Sequence, residues 1–241
     1  MLNVTVRDKG KKYITGIPRE AFTIFENERQ QPLRFFMNED APVTIGLLID
    51  NSGSMQPNRD LVVAAATAFA KTSNPRDDLF SLVFNEDVHS ALTREDPFTN
   101  DPEVLREALQ RAVTTRGRTA LYDAIDRGLD YVDRGSHERK VLVIVTDGED
   151  NASSATLQGV LQKIQASNVL VFVVAIVDPV AMSPTWKRMR ELGDVSGGEL
   201  FHPDSVKKVN EVLQRIAVEI RNTYVMAYEP EEPTAGANVR R

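Results

Sequence analysis

The run Val43-Thr44-Ile45-Gly46-Leu47-Leu48-Ile49, ending at Asp50-Asn51-Ser52-Gly53-Ser54, constrains the fold of this chain more than any other segment. A short apolar run of this kind predicts a buried strand, and the turn that follows leaves the strand's carboxyl end. That turn carries one carboxylate and two hydroxyls at alternate positions. These are hard oxygen donors of low total charge, suited to Mg²⁺ or Mn²⁺. Asp, Ser and Gly are also the ordinary residues of a turn, so the pentapeptide alone reads either way.

Two later segments bear on that choice. Gly117-Arg118-Thr119-Ala120-Leu121-Tyr122-Asp123-Ala124 places a hydroxyl in a glycine-containing loop just before a helical pattern. Val141-Leu142-Val143-Ile144-Val145-Thr146-Asp147-Gly148-Glu149-Asp150 repeats the first arrangement, an apolar strand ending in a carboxylate and a glycine turn. In an open parallel sheet, loops at the carboxyl ends of neighbouring strands converge on one crevice. Asp50, Ser52, Ser54, Thr119 and Asp147 would then supply oxygen ligands to one ion.

With those residues in that order, the chain resembles a von Willebrand factor type A domain with a metal-ion-dependent adhesion site. The family's site reads Asp-x-Ser-x-Ser, then Thr, then Asp, and the resemblance covers about 42–221. It implies a non-catalytic module. Ser52 and Ser54 would bind Mg²⁺ (or Mn²⁺ or Ca²⁺) directly, and Thr119 and Asp147 directly or through water. An Asp or Glu carboxylate of a protein partner would take the remaining position. Proteins of this kind with a short β segment ahead of the domain are commonly exported, so an exported fragment of a longer precursor is expected, with a cytoplasmic protein as the alternative.

Composition narrows the remaining classes. Hydrophobic content of 41% and charged content of 27% are those of a globular protein. A formal charge of −6 with no basic cluster argues against general nucleic-acid binding. There is no cysteine, hence no disulfide or thiolate chemistry. His89, His137 and His202 are scattered without metal-ligand spacing. The longest apolar run, Val169 to Val177, is too short to span a bilayer and reads as another buried strand.

From Pro42 onward strands and helices alternate, which predicts an α/β fold: a doubly wound, mainly parallel six-stranded sheet with helices on both faces. Strands are expected near 43–50, 79–84, 88–92, 139–146, 169–176 and 198–202, and helices near 57–73, 101–113, 120–134, 153–167 and 205–222. The strands flanking Asn85-Glu86-Asp87 should form a hairpin with an antiparallel edge strand. The amino-terminal alternation at Val4, Val6, Tyr13-Ile14 and Phe22 to Glu26 suits a small antiparallel unit. Tyr224 to Tyr228 alternates in the same way, so the two ends are expected to pair. The expected divisions are an N-terminal β segment 1–38, the main domain 39–222, and a strand with a polar tail 223–241.

Arg116 and Arg118 flank Gly117, and either can pair with an acidic partner at the ion or stand solvated. Glu149 and Asp150 read as outer-shell acids or as the cap of the next helix. The main enzymatic alternative is a Mg²⁺-dependent phosphohydrolase on a similar sheet. The phosphatase pattern it resembles wants a second aspartate where Ser52 stands. A serine hydrolase lacks both its Gly-x-Ser-x-Gly turn and an evident histidine base. A scaffold with an idle metal site is the other alternative.

Overall fold

The computed structural model describes residues 2–10, 12–37, 41–93, 95–148, 150–176 and 184–229. Among these the strands are, in chain order, β1 (Leu2–Thr5), β2 (Ile24–Glu26), β3 (Arg29–Gln31), β4 (Leu33–Met37), β5 (Val43–Asp50), β6 (Asp78–Phe84), β7 (Val88–Ser90), β8 (Arg139–Thr146), β9 (Val169–Ala175), β10 (Leu200–Phe201) and β11 (Thr223–Tyr228). The helices are α1 (Arg59–Thr72), α2 (Pro102–Ala112), α3 (Leu121–Val132), α4 (Leu157–Ala166), α5 (Pro184–Asp194) and α6 (Val209–Arg221). They divide into two compact units, Pro42–Ala217 and Met1–Ala41 with Val218–Arg241.

The larger unit is built on a six-stranded sheet ordered β10-β9-β8-β5-β6-β7. All neighbours are parallel except β7, which turns back antiparallel along the edge of β6. β5 and β8 lie side by side, in register from Val43 opposite Arg139 to Ile49 opposite Val145. From β5 the chain leaves through α1 to β6 on one side, and from β8 through α4 to β9 on the other. The winding therefore reverses between β5 and β8, and the crevice outside their carboxyl ends is where such a sheet takes its ligands.

Every residue of β5 and β9 is buried, which accounts for their lack of polar alternation. Leu48, Phe80 and Leu142 of the sheet pack with Leu121, Ile125 and Leu129 of α3 in one core cluster. The alternate residues Ile45, Leu47 and Ile49 point to the other face and are equally buried, so both faces are covered. α2 starts where Asp101 accepts the Glu103 amide (2.8 Å) with Pro102 at its first position.

α5 has no counterpart among the helices that the sequence pattern predicts. Its apolar residues Trp186, Met189 and Leu192 stand among Lys187, Arg188, Arg190 and Glu191, and only Met189, Leu192 and Gly193 are buried. So narrow a stripe gives little helical periodicity. α4 begins at Leu157, not near 153, because the preceding residues are used to hold α3 and Thr156 supplies the cap, its hydroxyl accepting the Gly159 amide (3.2 Å). α1 is preceded by a 3₁₀ stretch, Gly53–Asn58, with Pro57 inside it and Met55 buried beneath. Val177 and the tail from 230 lie outside the described residues.

In the smaller unit β11 lies between β1 and β4, antiparallel to both, so the chain's two ends form one sheet. Tyr224 organises it. Its ring meets Phe22 and Phe36 at centroid distances of 5.0 and 5.9 Å. Its hydroxyl donates to Ile14 O (2.9 Å) and accepts the Ile17 amide (3.1 Å). Glu219 receives Arg7 (2.8 Å) and the Tyr13 hydroxyl (3.2 Å). β2 and β3 form a tight hairpin whose turn residues, Asn27 and Glu28, both have positive φ, 49° and 66°. That pair of conformations defines the turn whose twist matches a hairpin.

Candidate functional site

Asp50 closes β5 and is 1% exposed. Its Oδ1 accepts the Ser52 amide (2.9 Å), which folds the turn back on the strand, and its Oδ2 accepts the Thr146 hydroxyl (2.6 Å). The Thr146 hydroxyl also accepts the Gly148 amide (3.0 Å), so a single side chain ties the ends of β5 and β8 together. Ser52 is 2% exposed, Ser54 is exposed, and their hydroxyl oxygens stand 3.0 Å apart. Asp147 is half-buried and close enough for its charge to act on Asp50.

Thr119, 2% exposed, comes from the loop ahead of α3. Its amide donates to Asn151 Oδ1 (2.9 Å), and its carbonyl accepts the amides of Asn151 (2.9 Å) and Ala152 (3.0 Å). Two residues earlier, Gly117 O accepts the Gly53 amide (3.1 Å), which seats this loop on the serine turn. Asn51 strengthens the same junction, because its Oδ1 accepts the amides of Thr114 and Thr115 (2.6 Å each). Asp50, Ser52, Ser54 and Asp147 thus meet in one crevice, with the Thr119 loop fixed to the first of its walls.

Thr146, Asn51 and Asn151, which fix these loops to one another, do not stand out in the sequence as a group. Thr146 carried a signal, as the polar residue closing an aliphatic run. The asparagines carried none, since turn asparagines are common. Asp150 does not cap the next helix. Its Oδ1 accepts the Tyr122 amide (3.3 Å), and Ser153 Oγ accepts the amides of Tyr122 (3.0 Å) and Asp123 (3.1 Å), so both hold the start of α3 from outside. Glu149 lies outside the described residues. Two of the three histidines are engaged elsewhere, His137 Nε2 lying 2.7 Å from Arg76 O and His202 edge-on to Trp186, and His89 is exposed on β7.

Burial pushes the Asp50 carboxyl up from 3.8 to about 6, with the Asp147 charge adding to it and hydrogen bonds from Ser52 and Thr146 opposing it. In chelator, ionising Asp50 therefore costs folding energy. Because the folded value lies above the unfolded one, this group's contribution is complete below about pH 4 and lost as the pH rises through about 6, on the order of 3 kcal/mol. Denaturant titrations should show that dependence in the wild type and not in Asp50→Asn; matching pH profiles would contradict the burial argument. Asn51→Ala leaves two amides without their acceptor and is expected to cost about 1–3 kcal/mol.

The donor chemistry fits a hard divalent cation. Two carboxylates, one of them costly to ionise alone, stand with alcohol oxygens and no sulfur. Among the described residues, no group of three or more His, Asp or Glu side chains is arranged to hold a metal.

The sequence model of the von Willebrand factor type A domain matches residues 44–215. The chain belongs to this family. A comparison with curated proteins finds no match. Among solved structures, an aerotolerance-related membrane protein from Bacteroides fragilis is 16% identical with a TM-score of 0.56, over 73% of this chain and 99% of that one. A von Willebrand factor type A protein from Catenulispora acidiphila is 18% identical with a TM-score of 0.61, over 75% of this chain and 43% of that one. The open conformation of the pilus adhesin SpaC from Lactobacillus rhamnosus GG is 15% identical with a TM-score of 0.59, over 74% of this chain and 30% of that one. At these identities the likeness is one of fold.

Proposed function

We propose that this type A domain is a non-catalytic module that recognises an acidic group of a protein partner through a divalent cation held by Asp50, Ser52, Ser54, Thr119 and Asp147. The observation that carries the reading is the buried Asp50 at the winding reversal, with paired serine hydroxyls in the turn it starts and the Asp147 charge close by. Asp50 and Asp147 supply charge, while Ser52 and Ser54 supply neutral oxygens, and Thr146 and Asn51 hold the loops that carry them. With hydroxyl oxygens making up the rest of the donor set and no further carboxylate, a Mg²⁺ or Mn²⁺ held there would accept an outside carboxylate in place of a water.

Exposure of Ser54 and Gly53 beside buried Asp50 gives a partner access to the mouth while the charge that holds the ion stays sheltered. The pilus adhesin and the membrane protein of the same fold support an exported or surface setting for this chain. Among the described residues no helix is long and apolar enough to cross a membrane.

Calorimetric titration with MgCl₂ or MnCl₂ tests the reading. One binding event is expected, with a gain in stability of roughly 2.7 kcal/mol at a hundredfold excess over the dissociation constant. Neither heat nor thermal shift at millimolar metal would defeat it. A panel of phosphomonoesters and phosphodiesters should show no turnover above the metal blank, since proton transfer to a leaving oxygen wants a carboxyl group where Ser52 stands. Turnover abolished in Asp50→Asn would establish the phosphohydrolase alternative.

A further inference from the structure

The loop 114–118 is held unusually firmly for a surface segment. Its amides at Thr114 and Thr115 bond Asn51 Oδ1, and the Arg116 amide bonds Asn51 O (2.8 Å). Asn85 Nδ2 donates to Arg116 O (3.2 Å), and Glu86 Oε1 accepts the Arg118 amide (3.3 Å). Gly117 has φ +79°, and a Cβ there would lie 3.2 Å from Glu86 Oε2, so glycine lets the loop sit flat against that side chain. Yet the side chains of Arg116 and Arg118 are exposed and, among the described residues, make no ion pair or hydrogen bond. Several cations elsewhere on this unit are paired: Arg106 and Lys71 with Glu103, Lys163 with Asp126 and Asp130, and Lys140 with Asp133.

From this juxtaposition, and resting on the ion-bridged reading above, we infer that Arg116 and Arg118 form a specificity rim that selects a partner segment carrying at least two carboxylates, one for the ion and another for the rim. Arg118 is next to Thr119, and the Arg116 amide is bonded to the residue between Asp50 and Ser52. The backbone that carries both side chains is therefore anchored within a residue or two of the ligand set. The second carboxylate is then expected within about three residues of the first, a span of roughly 10 Å in extended chain. A guanidinium fork matches a carboxylate in two parallel hydrogen bonds. The fixed backbone lowers the entropy lost when the rim engages. Two cations on a loop held by Glu86, on a chain of charge −6, suit a short acidic peptide better than an extended polyanion, which needs a continuous basic face.

The test selects random displayed peptides on the full chain in millimolar Mg²⁺, with wild type and Arg116→Gln/Arg118→Gln side by side. Wild type should enrich peptides with a second Asp or Glu within about three positions of the first, and the variant peptides with one acid only. A wild-type-selected peptide should bind the variant roughly tenfold more weakly at low salt, the gap closing at high salt. The heat of Mg²⁺ binding should be the same for both proteins. Singly acidic peptides from both proteins, or the same doubly acidic ones from both, would overturn the rim and leave the ion site standing. Loss of binding to heparin beads with no change in selected peptides would overturn it in favour of a polysaccharide. No Mg²⁺-dependent peptide from either protein would overturn the ion-bridged reading, and the rim with it.

Discussion

Asp50→Ala is expected to abolish the heat of Mg²⁺ binding and any Mg²⁺-dependent capture of an acidic peptide, while the chain still unfolds in one cooperative step. Altering groups that merely orient a metal ligand lowers affinity about 10–100-fold, so removing a charged ligand should cost at least about a hundredfold. The cost to the fold is smaller because opposing effects meet there. Ala leaves the Ser52 amide and the Thr146 hydroxyl without their acceptor, at about 1–3 kcal/mol. It also removes a carboxylate that burial has made hard to ionise. Asp50→Asn separates the two roles, since it keeps an acceptor oxygen and loses the charge; it too should fail to bind Mg²⁺. Asp150→Ala is the control. That residue caps α3, so its loss should cost about 1 kcal/mol of stability and leave the heat of Mg²⁺ binding in place. Equal loss of metal binding in Asp50→Ala and Asp150→Ala would show that the acids of this crevice act as a diffuse field, with no defined ligand set.

The central sheet was legible because its signals are local and strong. Val43–Asp50 and Arg139–Thr146 are runs that only a buried strand accommodates, and they have the bounds expected from the sequence. The edge hairpin at Asn85-Glu86-Asp87 and the strand Tyr224 to Tyr228 were legible for the same reason. What escaped was the part of the architecture decided by tertiary contacts. α5 presents few buried positions to the core and many charges to solvent. The residues before Leu157 look like the start of a helix in sequence, but Asp150 and Ser153 are taken by the amino end of α3. The proposed ligands Asp50, Ser52, Ser54, Thr119 and Asp147 are chosen on residue type and order alone. The groups that hold their loops in place, Thr146, Asn51 and Asn151, are recognisable only once β5, β8 and the start of α3 are side by side.

Gly46→Ala is expected to destabilise the larger unit by about 1–3 kcal/mol, and Gly46→Val by more, although alanine ordinarily suits a strand better than glycine by about 0.5–1 kcal/mol. A Cβ at this position would stand 2.3 Å from Phe80 Cζ and 2.6 Å from Leu142 Cδ2. The tip of an aromatic ring can often swing aside, but this one is held by Phe98 (centroids 5.6 Å, edge-on) and Tyr131 (5.7 Å). The overlap must then be relieved by moving β5 itself. β5 carries Asp50 at its end, so strain introduced four residues upstream should appear as weaker Mg²⁺ binding as well as lower stability. Phe80→Leu, which shortens the ring that fills the space above Gly46, should recover part of both losses when combined with Gly46→Ala. A double-mutant cycle should give a favourable coupling of about 1–2 kcal/mol. A Gly46→Ala protein as stable as wild type, or a cycle with no coupling, would mean that the ring yields more easily than its aromatic neighbours suggest, and that the placement of Asp50 does not depend on the glycine.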